Sequence, residues 1–251
     1  MWLLANQLIK IGTSGYSYPW NEGKPTPFRW YLSQGLDTVE INGTFYRFPT
    51  QPSINTWREA PSGFDFSIKV NQTITHRFRL GGEGALEYFE RFTKLFDPMR
   101  DRVTFWLFQM PPSFRASDEN LAVVEEFFMH AAQRGLANKA QAVVEFREKG
   151  WWKSDFRKRM EDAGLVFCSV DSPELPRDII TMNGSLYLRL HGRKSWYSDI
   201  YEEEELDKIC EQVQDSPAPR KYIYLNNDHG MLPNAFYLKE KLGRRRKRKN
   251  S

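Results

Sequence analysis

Ala142-Val143-Val144-Glu145-Phe146-Arg147 is a short β-type run that closes on two side chains of opposite charge. Its neighbours in the chain repeat the device. Upstream, Val103-Thr104-Phe105-Trp106-Leu107-Phe108 closes on Gln109, the run 64–68 closes on Lys69, and Asp37-Thr38-Val39 closes on Glu40. Downstream, the run 165–170 closes on Asp171, Leu186-Tyr187-Leu188 passes into Arg189-Leu190-His191, and Tyr222-Ile223-Tyr224-Leu225 closes on Asn226-Asn227. With Ile9-Lys10-Ile11 ahead of Gly12-Thr13-Ser14, about eight such runs are present, the number a (β/α)8 barrel needs. In that fold the carboxyl ends of the strands carry the chemistry, so polar residues recurring there mark a candidate site.

A helix-type segment follows nearly every run: 27–34, 52–60, 85–96, 117–134, 153–163, 202–213 and 232–242. The clearest is 117–134. Ser117 stands at its start, Leu121, Val124, Phe127, Phe128 and Ala131 recur at helical spacing, and Gly135 stops it. The sixth unit is the exception. Between Asp171 and Ser185 there are only Pro173, Pro176 and a patch at Ile179-Ile180, so a short or missing helix is expected there. The alternation predicts an α/β chain, a TIM-like (β/α)8 barrel in one domain over residues 8–243 with an irregular sixth unit. Residues 1–7 read as an N-terminal extension, and 244–251 as a basic, disordered tail. An open sheet would concentrate its polar strand ends at one switch point, whereas here every unit has them.

The length of 251 residues is near the roughly 250 of a single barrel. Hydrophobic residues at 40% and aromatics at 15% supply ample core. The two cysteines, Cys168 in an apolar run and Cys210 in a helical one, read as small buried hydrophobes in a reducing compartment. No apolar stretch approaches the roughly 20 residues of a membrane span, and Met1-Trp2-Leu3-Leu4-Ala5 is too short for a secretory signal. A soluble, cytoplasmic protein is expected. The net charge of +4 is misleading. Without the six basic residues of 244–249, 30 basic face 32 acidic side chains, a balance of −2. Basicity is therefore a terminal tag, which could meet nucleic acid electrostatically or simply remain solvated.

Strand parity selects the residues that share a face. Glu145 and Arg147 lie with Val143, Arg189 and His191 with Tyr187, and Glu40 and Asn42 with Thr38; Lys69, Gln109 and Asp171 occupy equivalent strand ends. The acid–base candidates are Glu40, Glu145, Asp171 and His191. The substrate-binding candidates are Lys69, His76, Gln109, Arg147, Arg189, Tyr197, Asn226 and Asn227. So many cations and amides suit a phosphate or carboxylate, and so predict a small anionic ligand, phosphorylated or sugar-like. The competing view is a set of ion pairs that closes the barrel. Three carboxylates with His76 and His191 could also hold a divalent metal, but no compact motif such as His-Glu-x-x-His occurs, and no metal or other cofactor is assigned.

Gly12-Thr13-Ser14-Gly15 resembles an anion-binding turn yet lacks either nucleotide fingerprint, and a plain tight turn explains it as well. His130 reads as structural, while His229 sits on a loop at the same strand ends. Among Tyr16, Tyr18, Trp20, Phe45, Tyr46, Trp151, Trp152, Trp196, Tyr197 and Tyr201, most are expected to pack loops on the barrel. Trp196, Tyr197 and Tyr201, beside His191-Gly192-Arg193, are the better candidates for stacking on a sugar or base.

Taken in order, 11–18 (Ile-Gly-Thr-Ser-Gly-Tyr-Ser-Tyr), 39–46 (Val-Glu-Ile-Asn-Gly-Thr-Phe-Tyr), Ile74-Thr75-His76, Gln109-Met110-Pro111-Pro112-Ser113-Phe114, Val144-Glu145-Phe146-Arg147, Tyr187-Leu188-Arg189-Leu190-His191-Gly192 and Leu225-Asn226-Asn227 resemble the DUF72 (YecE-like) family. The resemblance runs from the first strand to the last helix and implies a TIM-barrel-like fold, without supplying a reaction. It carries over the positions Glu40, Lys69, His76, Gln109, Glu145, Arg147, Asp171, Arg189, His191, Asn226 and Asn227. Tyr16 departs from the family's usual Trp, and the basic tail is particular to this chain. Three expectations follow: an enzyme of hydrolase or isomerase type acting on a small anion, a nucleic-acid-binding or metal-assisted phosphodiester-processing protein, or a non-catalytic ligand-binding barrel.

Overall fold

A computed structural model describes residues 7–136 and 140–249, with side chains as far as 243. Residues 1–6 of the expected extension and 250–251 of the expected tail lie outside this set. The strands are β1 (Leu8–Thr13), β2 (Thr38–Ile41), β3 (Asp65–Lys69), β4 (Val103–Gln109), β5 (Gln141–Glu145), β6 (Val166–Asp171), a two-residue β7 (Thr181–Met182), β8 (Ser185–Leu190) and β9 (Arg220–Leu225). Their hydrogen-bonded order is β1-β9-β8-β6-β5-β4-β3-β2, with β7 off the path. The fold is a TIM-like (β/α)8 one, eight parallel strands with helices between them.

The helices are α1 (Pro27–Ser33), α2 (Gly43–Tyr46), α3 (Gln51–Arg58), α4 (Gly82–Lys94), α5 (Asp118–Gln133), α6 (Ser154–Asp162), α7 (Glu203–Asp215) and α8 (Met231–Lys249). In α5 the Ser117 hydroxyl accepts from the Asn120 N–H at 3.2 Å, and the five apolar residues picked out by spacing are the buried ones. The one-turn α2, absent from the sequence reading, follows β2 directly. The backbone of α8 continues through the basic run as far as Lys249.

The irregular sixth unit takes a specific form. Among the described residues no helix separates β6 from β8; instead β7 folds back antiparallel onto β8, Met182 opposite Ser185. The turn is Asn183-Gly184, both with positive φ (48° and 72°), the pairing that a tight hairpin requires.

Contacts divide the chain into two compact units, residues 40–167 and residues 1–39 with 168–251. The core of the 40–167 unit is aromatic. Phe89, Phe92, Phe96 and Trp106 meet edge to face at 5.3–6.0 Å, and Trp151 stacks on Phe146 at 4.0 Å.

In the other unit, β1 is set against Thr38 by a glycine. A Cβ on Gly12 would stand 2.1 Å from the Thr38 carbonyl oxygen, so Gly12 serves close backbone packing and not a turn. The buried Tyr31 phenol reinforces this contact: it accepts from the Thr13 N–H (3.1 Å) and donates to the Thr38 carbonyl (2.9 Å). Lys221 closes the amino end of β9. Its fully buried ammonium donates to the carbonyls of Val213 (2.7 Å), Gln214 (3.3 Å) and Ser216 (2.7 Å). Helix α7 carries no basic residue in its last turn, and the Lys221 charge from β9 meets its carbonyl end instead. Cys168 and Cys210 are buried free thiols.

Candidate functional site

In the 40–167 unit, β4 and β5 place Gln109 opposite Glu145 in register at their carboxyl ends. Glu145 and Glu40 are fully buried, and Lys69 is 8% exposed. A buried carboxylate is costly unless paired, and Arg147, two residues past Glu145 on the same face, brings Nε to 2.5 Å from Glu145 Oε1. The same guanidinium reaches the Gln109 side-chain oxygen at 3.5 Å.

Beyond β3 the chain is locally unusual. The Asn71 amide donates to the Thr44 carbonyl at 3.1 Å and its oxygen accepts from the Thr73 N–H at 3.0 Å. This starts a single π-helical turn, Thr73–Arg77, which carries His76. Such turns recur at functional sites. Arg79 and Leu80 follow with φ of 52° and 64°, two consecutive non-glycine residues in the left-handed region, a conformation that costs energy. Phe45 of α2 touches both groups: Lys69 Nζ is 4.2 Å from its ring centroid, and the His76 ring meets it edge-on at 5.1 Å. Thr75 Oγ1 lies 2.9 Å from His76 Nδ1. Partial burial, then the charges of Lys69, Arg147 and Arg79, hold the His76 pKa below its ordinary 6.5.

In the unit of residues 1–39 with 168–251, β8 supplies Arg189 and His191, both fully buried. Arg189 Nη1 lies 3.5 Å from His191 Nε2, and the Asn226 side-chain nitrogen lies 3.0 Å from His191 Nδ1. Arg189 also donates to Ser14 Oγ at 3.4 Å.

Asp171 is engaged by a residue that sequence reading did not select. Arg193 donates to both of its oxygens, Nε at 3.1 and 3.0 Å and Nη2 at 2.8 Å, and the Tyr201 hydroxyl donates at 3.0 Å. Burial and then this carboxylate push the Tyr201 phenol pKa up. Tyr201 is thus a buried donor and not an open stacking ring. The loop between β8 and α7 closes around this pair: Gly192 N–H donates to the Tyr201 oxygen, and the Asp199 carboxylate accepts from the N–H groups of Arg193 and Lys194 at 2.7 and 2.9 Å. Asn227 donates to the Asp199 carbonyl and to Asn234 Oδ1, so it holds this loop to the start of α8. Tyr197 is 37% exposed. The signal for Arg193 was available: a charged residue directly after a glycine at a strand end.

Other candidates fall elsewhere. His229 is exposed on the short turn Asp228–Gly230, and His130 lies on the outer face of α5 beside Gln133. Tyr16, Trp151 and Trp152 pack on Phe28, Phe146 and Phe167 as loop-packing rings. Among the described residues, no three His, Cys, Asp or Glu side chains gather as a metal set.

The fold is that of a TIM-like (β/α)8 protein, with buried charged residues Glu40, Lys69, Glu145, Asp171 and Arg189 at or near the carboxyl ends of its strands. The chain belongs to the DUF72 family: the model described as "Protein of unknown function DUF72" matches residues 10–251. A DUF72 family protein from Thermotoga maritima superposes with a TM-score of 0.81 at 26% identity, over 94% of this chain and 99% of its own. A second, from Enterococcus faecalis, gives 0.79 at 20% identity over 95% and 99%. SacUVDE, at 0.58 and 9% identity over 94% and 99%, shares the fold alone. No functionally curated protein matches the chain.

Proposed function

We propose that this chain is a barrel enzyme acting on a small anionic substrate, phosphorylated or sugar-like, through acid–base chemistry. One observation carries the reading: the half-buried His76 is surrounded by the cationic side chains of Lys69, Arg147 and Arg79, which disfavour its protonated form. A phosphate or carboxylate placed among the same groups would favour the protonated ring instead. Lys69 and Arg147 hold the anion, with Gln109 beside them. Glu145 fixes the Arg147 guanidinium through their 2.5 Å contact and acts as a positioning residue. His76, neutral at physiological pH, is the proton acceptor. Asp171 keeps the Arg193 loop in place in its own unit, and Arg189, His191 and Asn226 form a hydrogen-bonded set there.

The reading is tested by following the His76 ring in an NMR pH titration with and without inorganic phosphate. An anion bound among these cations raises the His76 pKa, and this response is lost in Arg147→Ala and Lys69→Ala. A His76 titration indifferent to phosphate, with sugar phosphates equally without effect, would overturn it.

A further inference from the structure

The loop between β8 and α7 is built more rigidly than a connection needs. Asp199 binds two successive backbone N–H groups, the Tyr201 hydroxyl takes a third, and the Tyr197 N–H donates to the His191 carbonyl at 2.7 Å. Gly192 is obligatory, since a Cβ there would meet the Ser195 carbonyl oxygen at 2.5 Å and the Asp199 side chain at 2.6 Å. All this organisation holds Tyr197 at a φ of 67°, a strained value for an aromatic residue. Tyr197 nevertheless remains 37% exposed. Burial in a core is therefore not what offsets the strain.

What the strain secures is a corner of three rings. Trp196 and Tyr197 each lie 5.3 Å from the His191 ring and 5.7 Å from one another, with interplanar angles of 50°, 89° and 45°. A flat nucleobase can lie parallel to only one of three rings so inclined. A puckered sugar ring directs its axial C–H bonds to one side and its edge to another, and so meets two inclined faces together. Polar groups for its hydroxyls stand close in the chain: Ser195 and Ser198, whose hydroxyls are 2.9 Å apart.

We propose that Trp196 and Tyr197 form a pyranose-binding corner, with His191 as its rigid back wall. The inference goes beyond the anion reading and stands without it, because neutral sugars suffice to test it. Saturation-transfer NMR is run on the full chain with methyl glucoside, methyl galactoside and methyl xyloside, and with adenosine and uridine as flat competitors. Transfer to pyranoside ring protons is expected, falling about tenfold in Trp196→Ala and kept in Trp196→Phe. Tyr197→Gly is the sharper variant. It permits the positive φ, so the melting temperature should hold or rise while sugar transfer is lost. Three results overturn the proposal: no transfer to any pyranoside, transfer undiminished by Trp196→Ala and Tyr197→Gly, or transfer to the nucleosides in preference to the sugars. The His76 phosphate titration is unaffected by any of them.

Discussion

His76 and Gly12 show how single positions carry the physics of this chain. The folded state holds the His76 pKa below the 6.5 of an unfolded histidine, so the unfolded chain takes up its proton first as pH falls. Above pH 6.5 the residue has no effect on this balance; from there down through the folded pKa, stability declines, and below it the loss is complete. Urea midpoints measured between about pH 5 and 8 should show this limb in the native chain and not in His76→Gln. Parallel profiles would remove His76 as its source. Gly12 belongs to packing instead. The atoms a methyl group would strike are the Thr38 carbonyl oxygen and carbon, at 2.1 and 2.8 Å, and backbone cannot swing aside as a side chain does. Gly12→Ala should cost on the order of 3 kcal/mol by chemical denaturation, or prevent folding.

At the scale of elements, the Arg193–Asp171 ion pair ties the loop from Gly192 to Tyr201 to the end of β6. The Arg193 side chain is 16% exposed and that of Asp171 only 6%. Arg193→Ala should destabilise by about 3 kcal/mol, because a buried carboxylate is left without its cation. Adding Asp171→Asn should recover part of the loss, and a double variant no better than the single would argue against pairing as the cause. The eight parallel strands were legible in the sequence because each apolar run carries a polar residue at or just beyond its end, and α5 because its apolar spacing and caps agree. What escaped did so for identifiable reasons. The β7 hairpin lay within a stretch judged by its prolines, although Asn183-Gly184 is a strong hairpin signal. The turn α2 and the π-turn of His76 are too short for any periodicity to reveal. Parity and residue type select the candidates at strand ends; Arg193 carried a weaker signal, its place directly after Gly192, and Arg79, on a loop, depends on contacts formed only when the chain folds. Gly12 was read as a turn because its real partner, Thr38, is distant in sequence.

The whole molecule is nearly neutral apart from its end, with 30 basic and 32 acidic residues outside 244–249. No described helix is long and apolar enough to cross a membrane. If the six terminal cations meet nucleic acid, the contact is with phosphates and has a measurable signature. The logarithm of duplex affinity should fall with the logarithm of salt with a slope of up to about −5, and truncation at Gly243 should nearly abolish that dependence. Fluorescence anisotropy across a salt series measures both. A slope that truncation leaves unchanged would move the contact off the terminal run.

The buried Lys221 has a consequence for the chemistry of the intact protein. An amine enclosed by the carbonyls of Val213, Gln214 and Ser216 is withheld from acylating reagents as long as the end of α7 stays closed on β9. Surface lysines such as Lys158, whose side chain is 72% exposed, react at once. Acetylation of Lys221 therefore proceeds only through openings of this corner, and mass spectrometry of a timed labelling series converts one residue into a clock for local unfolding. Its rate should rise with urea well before surface amines change, which makes Lys221 a built-in reporter of how often this part of the barrel lets go.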